Sequence, residues 1–269
     1  MEKKMLVLDI DGTLTNSKKE ITPITKAAIT RVLENGHVVV IASGRPTPGT
    51  KKVCEELELS KYSGYVLSYN GARITRLGDN EVVYQKILDK KYIPEIFEYC
   101  LENDMGMMTY EDNDAITGTR IDEYMELEAR INSIGLRRVE NFTEYVNFPV
   151  NKCLLTKEAE VAQKTCEELA QRYKDTLSIY RSEPFFVEIM PKGVDKAASL
   201  EVLRGILNIK KENIVACGDG FNDLSMIKYA HVGVCMANGC DECRKAADYI
   251  APSNDEDGLV DVIAKYFNV

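Results

Sequence analysis

The chain has no basic excess and very few histidines. Its 269 residues contain 34 Lys and Arg against 43 Asp and Glu, which gives a formal net charge of -9. Proteins that bind nucleic acid backbones need clustered Lys and Arg, so this balance argues against a nucleic-acid partner. The two histidines, His37 and His231, each begin an apolar run that is typical of a buried strand. Carboxylates are therefore the main candidates for acid-base chemistry.

Long hydrophobic runs are also lacking. No apolar stretch approaches the roughly 20 residues that a membrane-spanning helix needs. The first residues, MEKK, lead directly into a short strand and do not resemble a signal peptide with its apolar segment and cleavage site. We therefore expect a cytoplasmic protein with no membrane partner.

The eight cysteines do not form a recognisable metal or disulfide pattern. Cys153, Cys217 and Cys235 lie within apolar runs, where a free thiol behaves as a small hydrophobic side chain. Cys240 and Cys243 form one C-x-x-C, but no second Cys or His pair with ligand spacing accompanies it. The sequence therefore does not favour a zinc or redox role for this pair, and its role stays open.

Both ends of the chain alternate strands and helices. Thr22 and Pro23 are typical of a helix start, and Gly36 is typical of a helix end. Apolar runs on either side predict strands at 5–8 and 38–42, and the same alternation returns after residue 196. Strand, helix and strand in succession predict a parallel sheet covered by helices on both faces.

The middle of the chain has a different pattern. Between residues 92 and 190, helical segments alternate with pairs of adjacent strands, which predicts antiparallel hairpins in an α+β unit. The predicted organisation is a core formed by 1–88 and 191–269, with an inserted cap at 89–190. Inserted units of this kind suit lids or specificity modules.

The most informative segment is Asp9-Ile10-Asp11-Gly12, directly after the first apolar strand. Two carboxylates at a strand end crowd negative charge, which a metal or a ligand would relieve. Taken alone, the segment is equally consistent with an ordinary turn in which Asp occupies a favoured position. Gly12 allows a sharp turn in either case.

Three distant segments decide between these interpretations. Ser43-Gly44-Arg45 follows the second strand and offers donors for a phosphate. Lys196 begins a predicted helix, and the loop 218–223 brings Asp219, Asn222 and Asp223 after another strand. Ligands of open α/β sheets bind beyond the carboxyl ends of the strands, where such loops converge. The combination predicts a phosphate site.

In this combination and order, the motifs resemble those of the haloacid dehalogenase superfamily, in its Cof-type branch with an inserted α+β (type IIB) cap. Asp9-x-Asp11-Gly12-Thr13-Leu14 resembles the first motif of that family, Ser43 the second, Lys196 the third and the loop 218–223 the fourth. The resemblance covers nearly the whole chain and implies an α/β Rossmann-like core plus the cap.

The resemblance also implies roles for individual residues. Asp9 would be the nucleophile and Asp11 the general acid and base. Mg²⁺ would be held by the carboxylates of Asp9 and Asp219 and by the backbone carbonyl of Asp11. The phosphate-binding residues would be Ile10, Ser43, Gly44, Lys196 and Asn222. Asp223 would orient Lys196 or a metal-bound water, and Arg45 would contact either the substrate or an acid.

The expected activity is Mg²⁺-dependent hydrolysis of small phosphorylated metabolites through an aspartyl-phosphate, with sugar phosphates as the expected substrate class. A phosphomutase with the same phosphoaspartate is one alternative, and a non-catalytic protein that binds phosphorylated metabolites is another. We expect a monomer or a small homo-oligomer.

Overall fold

The structure, a computed structural model, describes residues 2–268, and the chain divides into two compact units. The first unit ends at Tyr84 and resumes at Asp195, and the second runs from Gln85 to Val194. The boundaries predicted from the sequence, 88/89 and 190/191, lie inside this second unit. The Asn151 side chain shows why, since it accepts a hydrogen bond from Gln85 and donates one to the Lys86 carbonyl, both at 2.9 Å.

The regular elements follow in chain order. The strands are β1 (Met5–Leu8), β2 (Val38–Ala42), β3 (Tyr65–Ser68), β4 (Arg73–Arg76), β5 (Glu81–Gln85), β6 (Gly106–Glu111), β7 (Asp114–Thr117), β8 (Gly135–Arg138), β9 (Cys153–Thr156), β10 (Leu177–Glu183), β11 (Phe186–Pro191), β12 (Ile214–Gly218), β13 (Val232–Met236) and β14 (Tyr249–Ala251). The helices are α1 (Pro23–Glu34), α2 (Lys51–Glu56), α3 (Tyr92–Glu102), α4 (Glu123–Asn132), α5 (Phe142–Tyr145), α6 (Ala159–Arg172), α7 (Lys196–Leu207), α8 (Leu224–Tyr229), α9 (Asp241–Ala246) and α10 (Gly258–Phe267).

The first unit is built on a sheet with the strand order β14-β13-β12-β1-β2-β3-β4-β5. The strands from β14 to β3 are parallel, and β4 pairs antiparallel with β3. Chain order runs outward from β1 in both directions, so β1 lies where the sheet topology reverses. In such sheets, ligands bind beyond the carboxyl ends of the strands at this point.

Both faces of the central strands of this sheet are buried, as the apolar runs predict. In β1, Leu6 and Leu8 belong to one hydrophobic core with residues of α1 and α10, while Met5 and Val7 belong to another with residues of α7 and α8. Helix α1 begins as predicted, because the Thr22 side chain accepts a hydrogen bond from the Thr25 N–H. These elements fix the position of β1 and of the residues that follow it.

The second unit contains a sheet with the order β10-β11-β9-β6-β7-β8. The predicted hairpins are present, since β6 pairs antiparallel with β7 and β10 with β11. Helices α3 and α6 contribute Ile96 and Leu169 to its hydrophobic core. The predicted fold class, a parallel α/β unit combined with an α+β unit, is confirmed. Among the residues the structure describes, no helix has the length and apolar character that crossing a membrane requires.

Candidate active site

Asp9 lies at the carboxyl end of β1 and is buried, with 6% of its surface exposed. Its backbone N–H donates to the Cys217 carbonyl of β12 at 3.1 Å, which holds it in line with the sheet. The Lys196 ammonium, which is completely buried, donates to Asp9 Oδ1 at 2.7 Å. A buried ion pair therefore stands where the central strand ends.

Helix α7 places Lys196 in this position. Lys196 is the first residue of the helix, as predicted, and Asp195 caps it by accepting a hydrogen bond from the Ala198 N–H at 2.9 Å. One turn later, Ser199 Oγ donates to the Gly71 carbonyl at 2.6 Å. The start of α7 is thereby fixed against the turn that follows β3, and its first side chain points to Asp9.

Two further aspartates come from the loop after β12. Asp223 Oδ1 accepts a hydrogen bond from Lys196 at 2.5 Å, and its Oδ2 accepts the backbone N–H groups of Asp219 and Gly220 at 2.9 Å each. Thr13 Oγ1 donates to Asp219 Oδ1 at 2.7 Å. Asp223 thus holds both the lysine and the loop, while Asp219 faces the loop that follows β1.

The carboxylates of Asp9, Asp219 and Asp223 form an acidic cluster that could hold a metal ion, since one oxygen of each lies within 4.8 Å of the others. Burial and the neighbouring Asp223 raise the pKa of Asp9 to about 8, although Lys196 opposes the shift. Burial also raises the pKa of Asp219 to about 6, with a further contribution from Asp223. The site concentrates negative charge that a cation would neutralise.

Gly12 leaves the space that Asp219 occupies. A Cβ at residue 12 would lie 2.4 Å from Asp219 Oδ2, and the backbone of Gly12 has a φ of +87°. Its carbonyl accepts a hydrogen bond from Asn238 Nδ2 at 2.8 Å. The turn after β1 therefore requires glycine for its conformation and for the approach of the acidic loop.

Asp11 is held by two cations. Arg45 binds it in a fork, with Nε 2.8 Å from Oδ2 and Nη2 2.8 Å from Oδ1, and Lys19 Nζ lies 2.9 Å from Oδ1. Burial would raise the pKa of Asp11, but Arg45 and Lys19 outweigh this effect and lower it. Of the two contacts expected for Arg45, the structure shows the one with an acid. Lys19 is a partner that the sequence did not indicate.

Asn70 is a second residue that sequence reasoning missed. Its backbone N–H donates to the Ser43 carbonyl at 2.9 Å, and its Oδ1 accepts a hydrogen bond from Asn222 Nδ2 at 3.2 Å. A Cβ on Gly44 would lie 3.0 Å from the same oxygen. Asn70 therefore links the Ser43 loop to the Asn222 loop. The Asn-Gly pair, two residues after the apolar run 65–67, was a local signal of a turn there.

The structure brings the predicted groups to one end of the sheet. Asp9 and Asp11 follow β1, Ser43 follows β2, and Asp219 follows β12. The side chain of Ile10, whose role was predicted to be phosphate binding, is buried in the hydrophobic core, and its carbonyl accepts hydrogen bonds from the backbone N–H and the Oγ1 of Thr15.

The fold and the site define an α/β enzyme with an acidic centre at the carboxyl end of its central strand. A family model for haloacid dehalogenase-like hydrolases matches residues 6–263. The chain belongs to this family, as the motifs predicted, and the expectation of a phosphatase of this superfamily is confirmed at the level of enzyme class.

Named relatives and solved structures agree with this assignment. The chain is 28% identical to the Bacillus subtilis protein YxeH, named as a candidate phosphatase, over 97% of each chain. It is 30% identical to the B. subtilis 5-amino-6-(5-phospho-D-ribitylamino)uracil phosphatase YcsE, over 97% of this chain and 94% of that protein. A haloacid dehalogenase-like hydrolase from Bacteroides thetaiotaomicron superimposes with a TM-score of 0.94 at 39% identity, covering 98% of this chain and 99% of the other.

Proposed function

We propose that the protein is a Mg²⁺-dependent phosphomonoester hydrolase that acts on small phosphorylated metabolites through an aspartyl-phosphate on Asp9. The observation that carries this proposal is the burial of the Asp9 carboxylate at the end of β1 against Lys196 and the acidic loop. A carboxylate of this kind is a suitable nucleophile once its charge is balanced.

The residues present fit a divalent cation. Their oxygens form the hard donor set that Mg²⁺ prefers. Burial, and after it the neighbouring Asp223, raise the pKa of Asp219, and a cation would favour its ionised form. Asp9, Asp219 and the Asp11 carbonyl would hold the ion, because both oxygens of Asp223 are already engaged by Lys196 and two backbone N–H groups. When bound, Mg²⁺ supplies positive charge that offsets repulsion between Asp9 and an anionic substrate.

The proposed reaction uses these groups in two steps. Asp9 attacks phosphorus while the bond to the leaving oxygen breaks. Asp11 donates a proton to that oxygen, so it must carry a proton at this step although Arg45 and Lys19 lower its pKa in the free protein. Asp11 then takes a proton from the water that attacks the aspartyl-phosphate, which releases inorganic phosphate and regenerates Asp9. Ser43, the Gly44 N–H, Lys196 and Asn222 hold the phosphoryl oxygens.

Arg45 and Lys19 position the Asp11 carboxylate. The Arg45 fork fixes both carboxylate oxygens, while Lys19 approaches one of them from the exposed loop after β1. Since Arg45 is largely buried and Lys19 is exposed, Arg45 is the constant partner and Lys19 the one that solvent weakens.

We assign substrate selection to the second unit, because its insertion into the chain of the catalytic unit is typical of a specificity module. The relative YcsE is named for a substrate whose phosphate sits on a ribityl chain. A sugar phosphate or a related polyol phosphate is accordingly the substrate class we favour, in the cytoplasm.

The test compares Asp9→Asn with Asp89→Asn, the same chemical change in an exposed surface ion pair. With an aryl phosphate and Mg²⁺, we expect Asp9→Asn to lose turnover while its circular dichroism stays native, and Asp89→Asn to keep full activity. Near-normal activity of Asp9→Asn would refute the assignment of the nucleophile. A phosphate panel assayed for released inorganic phosphate separates the alternatives: a phosphomutase releases none in net terms, and a binding protein hydrolyses no member.

A further inference from the structure

Three cysteines lie near the loop 219–223, which carries Asp219 and Asp223. Cys235 lies in β13, Cys240 caps helix α9, and Cys243 is the third residue of that helix. All eight cysteines of the chain are free thiols. Cys235 and Cys243 are completely buried, whereas Cys240 is partly exposed. A small oxidant can therefore reach one member of the group.

Two of these cysteines support the metal-binding loop directly. The Cys240 backbone N–H donates to the Asp219 carbonyl at 2.9 Å. The Cys243 thiol donates to the Gly220 carbonyl at 3.0 Å. Two consecutive carbonyls, beginning with that of the predicted metal ligand, are thus held by the C-x-x-C segment.

The two thiols of this segment are neighbours. Burial raises the pKa of the Cys243 thiol, and the nearby Cys240 thiol raises it further. The cap and third positions of a helix separate their Cα atoms by about 5 Å, within the range that a disulfide spans. The pair can therefore be joined with little backbone movement.

We propose that Cys240 and Cys243 form a reversible disulfide that weakens Mg²⁺ binding and switches off the proposed phosphatase. With a peroxide as oxidant, the O–O bond breaks as Cys240 sulfur takes one oxygen, which gives a sulfenic acid and water. Cys243 sulfur then attacks this sulfur, an S–S bond forms, and the second oxygen leaves as water. Two thiols and one peroxide become one disulfide and two waters.

Disulfide formation changes the hydrogen bonds that hold the loop 219–223. A disulfide removes the S–H donor of Cys243, so the Gly220 carbonyl keeps only the backbone N–H of Asp223 as a donor, at 2.9 Å. The sulfur also moves toward Cys240. Gly220 directly follows the predicted ligand Asp219 in the chain, and loss of a hydrogen bond that orients a metal ligand costs on the order of tenfold or more in metal affinity or activity.

Matched variants separate the thiol chemistry from the packing. Cys240→Ser cannot form the disulfide but keeps the backbone N–H on Asp219 and the Cys243 donor, so we expect normal activity and resistance to peroxide. Cys243→Ser keeps a hydroxyl donor near the Gly220 carbonyl, whereas Cys243→Ala removes the donor. Cys243→Ala is therefore expected to resemble the oxidised protein in its Mg²⁺ affinity, and Cys243→Ser the reduced one.

The experiment treats the full chain with hydrogen peroxide and then maps disulfides by mass spectrometry, titrates Mg²⁺ by thermal stabilisation and assays hydrolysis. We expect a Cys240–Cys243 crosslink, at least about tenfold weaker Mg²⁺ binding, lower activity and full recovery with dithiothreitol. A Cys235–Cys240 crosslink, unchanged Mg²⁺ affinity or equal inactivation of Cys240→Ser would overturn the proposal. The switch rests on the proposed function, but the crosslink and the Mg²⁺ titration test it even if no phosphate ester is hydrolysed.

Discussion

Gly12 offers a sharp test of the site, because its missing side chain makes room for Asp219. An alanine Cβ at residue 12 would stand 2.4 Å from Asp219 Oδ2, whereas ordinary contact begins near 3.4 Å. The carboxylate would have to retreat by about 1 Å, and misplacement of a catalytic group by this distance costs on the order of 100-fold in rate. The positive φ of Gly12 adds a backbone strain of about 1–2 kcal/mol.

Gly36 provides the control for the strain. It has a φ of +79°, close to the +87° of Gly12, but a Cβ there would have nothing within 4 Å. Gly36→Ala should therefore lose about 1 kcal/mol of the free energy of unfolding, with kcat/KM and Mg²⁺ affinity unchanged. Gly12→Ala should lose at least as much stability and, in addition, most of its activity.

Three measurements decide the comparison: urea denaturation for the free energy of unfolding, kcat/KM on an aryl phosphate, and Mg²⁺ titration by thermal shift. We expect both variants to lose free energy of unfolding because of backbone strain. Only Gly12→Ala should also bind Mg²⁺ more weakly and have a lower kcat/KM. If Gly12→Ala retains activity within about threefold of the parent, the 1 Å argument is refuted. A Gly36→Ala variant that loses activity equally would show that stability alone causes the defect.

Two further predictions concern the buried charges. Lys196→Met leaves two buried carboxylates without their cation, so urea denaturation at pH 8 should show a free energy of unfolding lower by about 3–5 kcal/mol. The loss should be smaller at pH 5, where the carboxylates take up protons. An equal loss at both pH values would contradict this prediction. In EDTA, the free energy of unfolding should fall as the pH rises from about 4 to 8. The folded protein has raised pKa values, about 6 for Asp219 and about 8 for Asp9. Both side chains therefore keep protons at pH values where the unfolded chain has already released them. Asp219 alone accounts for about 2 kcal/mol of this loss of stability, after a discount for its partial exposure. In thermal melts, the melting temperature should decline less with pH in Mg²⁺ than in EDTA. An equal dependence of the melting temperature on pH in the two conditions would refute the linkage.

Local signals in the sequence were sufficient for much of the fold. The Thr22 cap, the apolar run at 5–8 and the start of α7 at Lys196 each depend on residues within one or two turns of the chain, and all are present in the structure. The short polar strands β4 and β8 were missed. Their residues lack the apolar run that marks a buried strand, and they are strands because their neighbours supply hydrogen-bonding partners.

The candidate site divides in the same way. The sequence by itself determined that Asp9 and Asp11 follow a buried strand, and the resemblance implied a ligand for them. Only the tertiary structure decided that Arg45 binds Asp11 rather than standing free for a substrate, and that Asn70 joins the site.

The physical reason for this division is how far apart along the chain the interacting residues lie. A cap or an apolar strand is set by neighbours along the chain, so its signal is written locally. The charge on Asp9 is set by Lys196, which lies 187 residues away, and by the loop after β12. Which carboxylates face one another, and which thiol contacts the loop beside them, depends on contacts that exist only when the sheet brings the strand ends together.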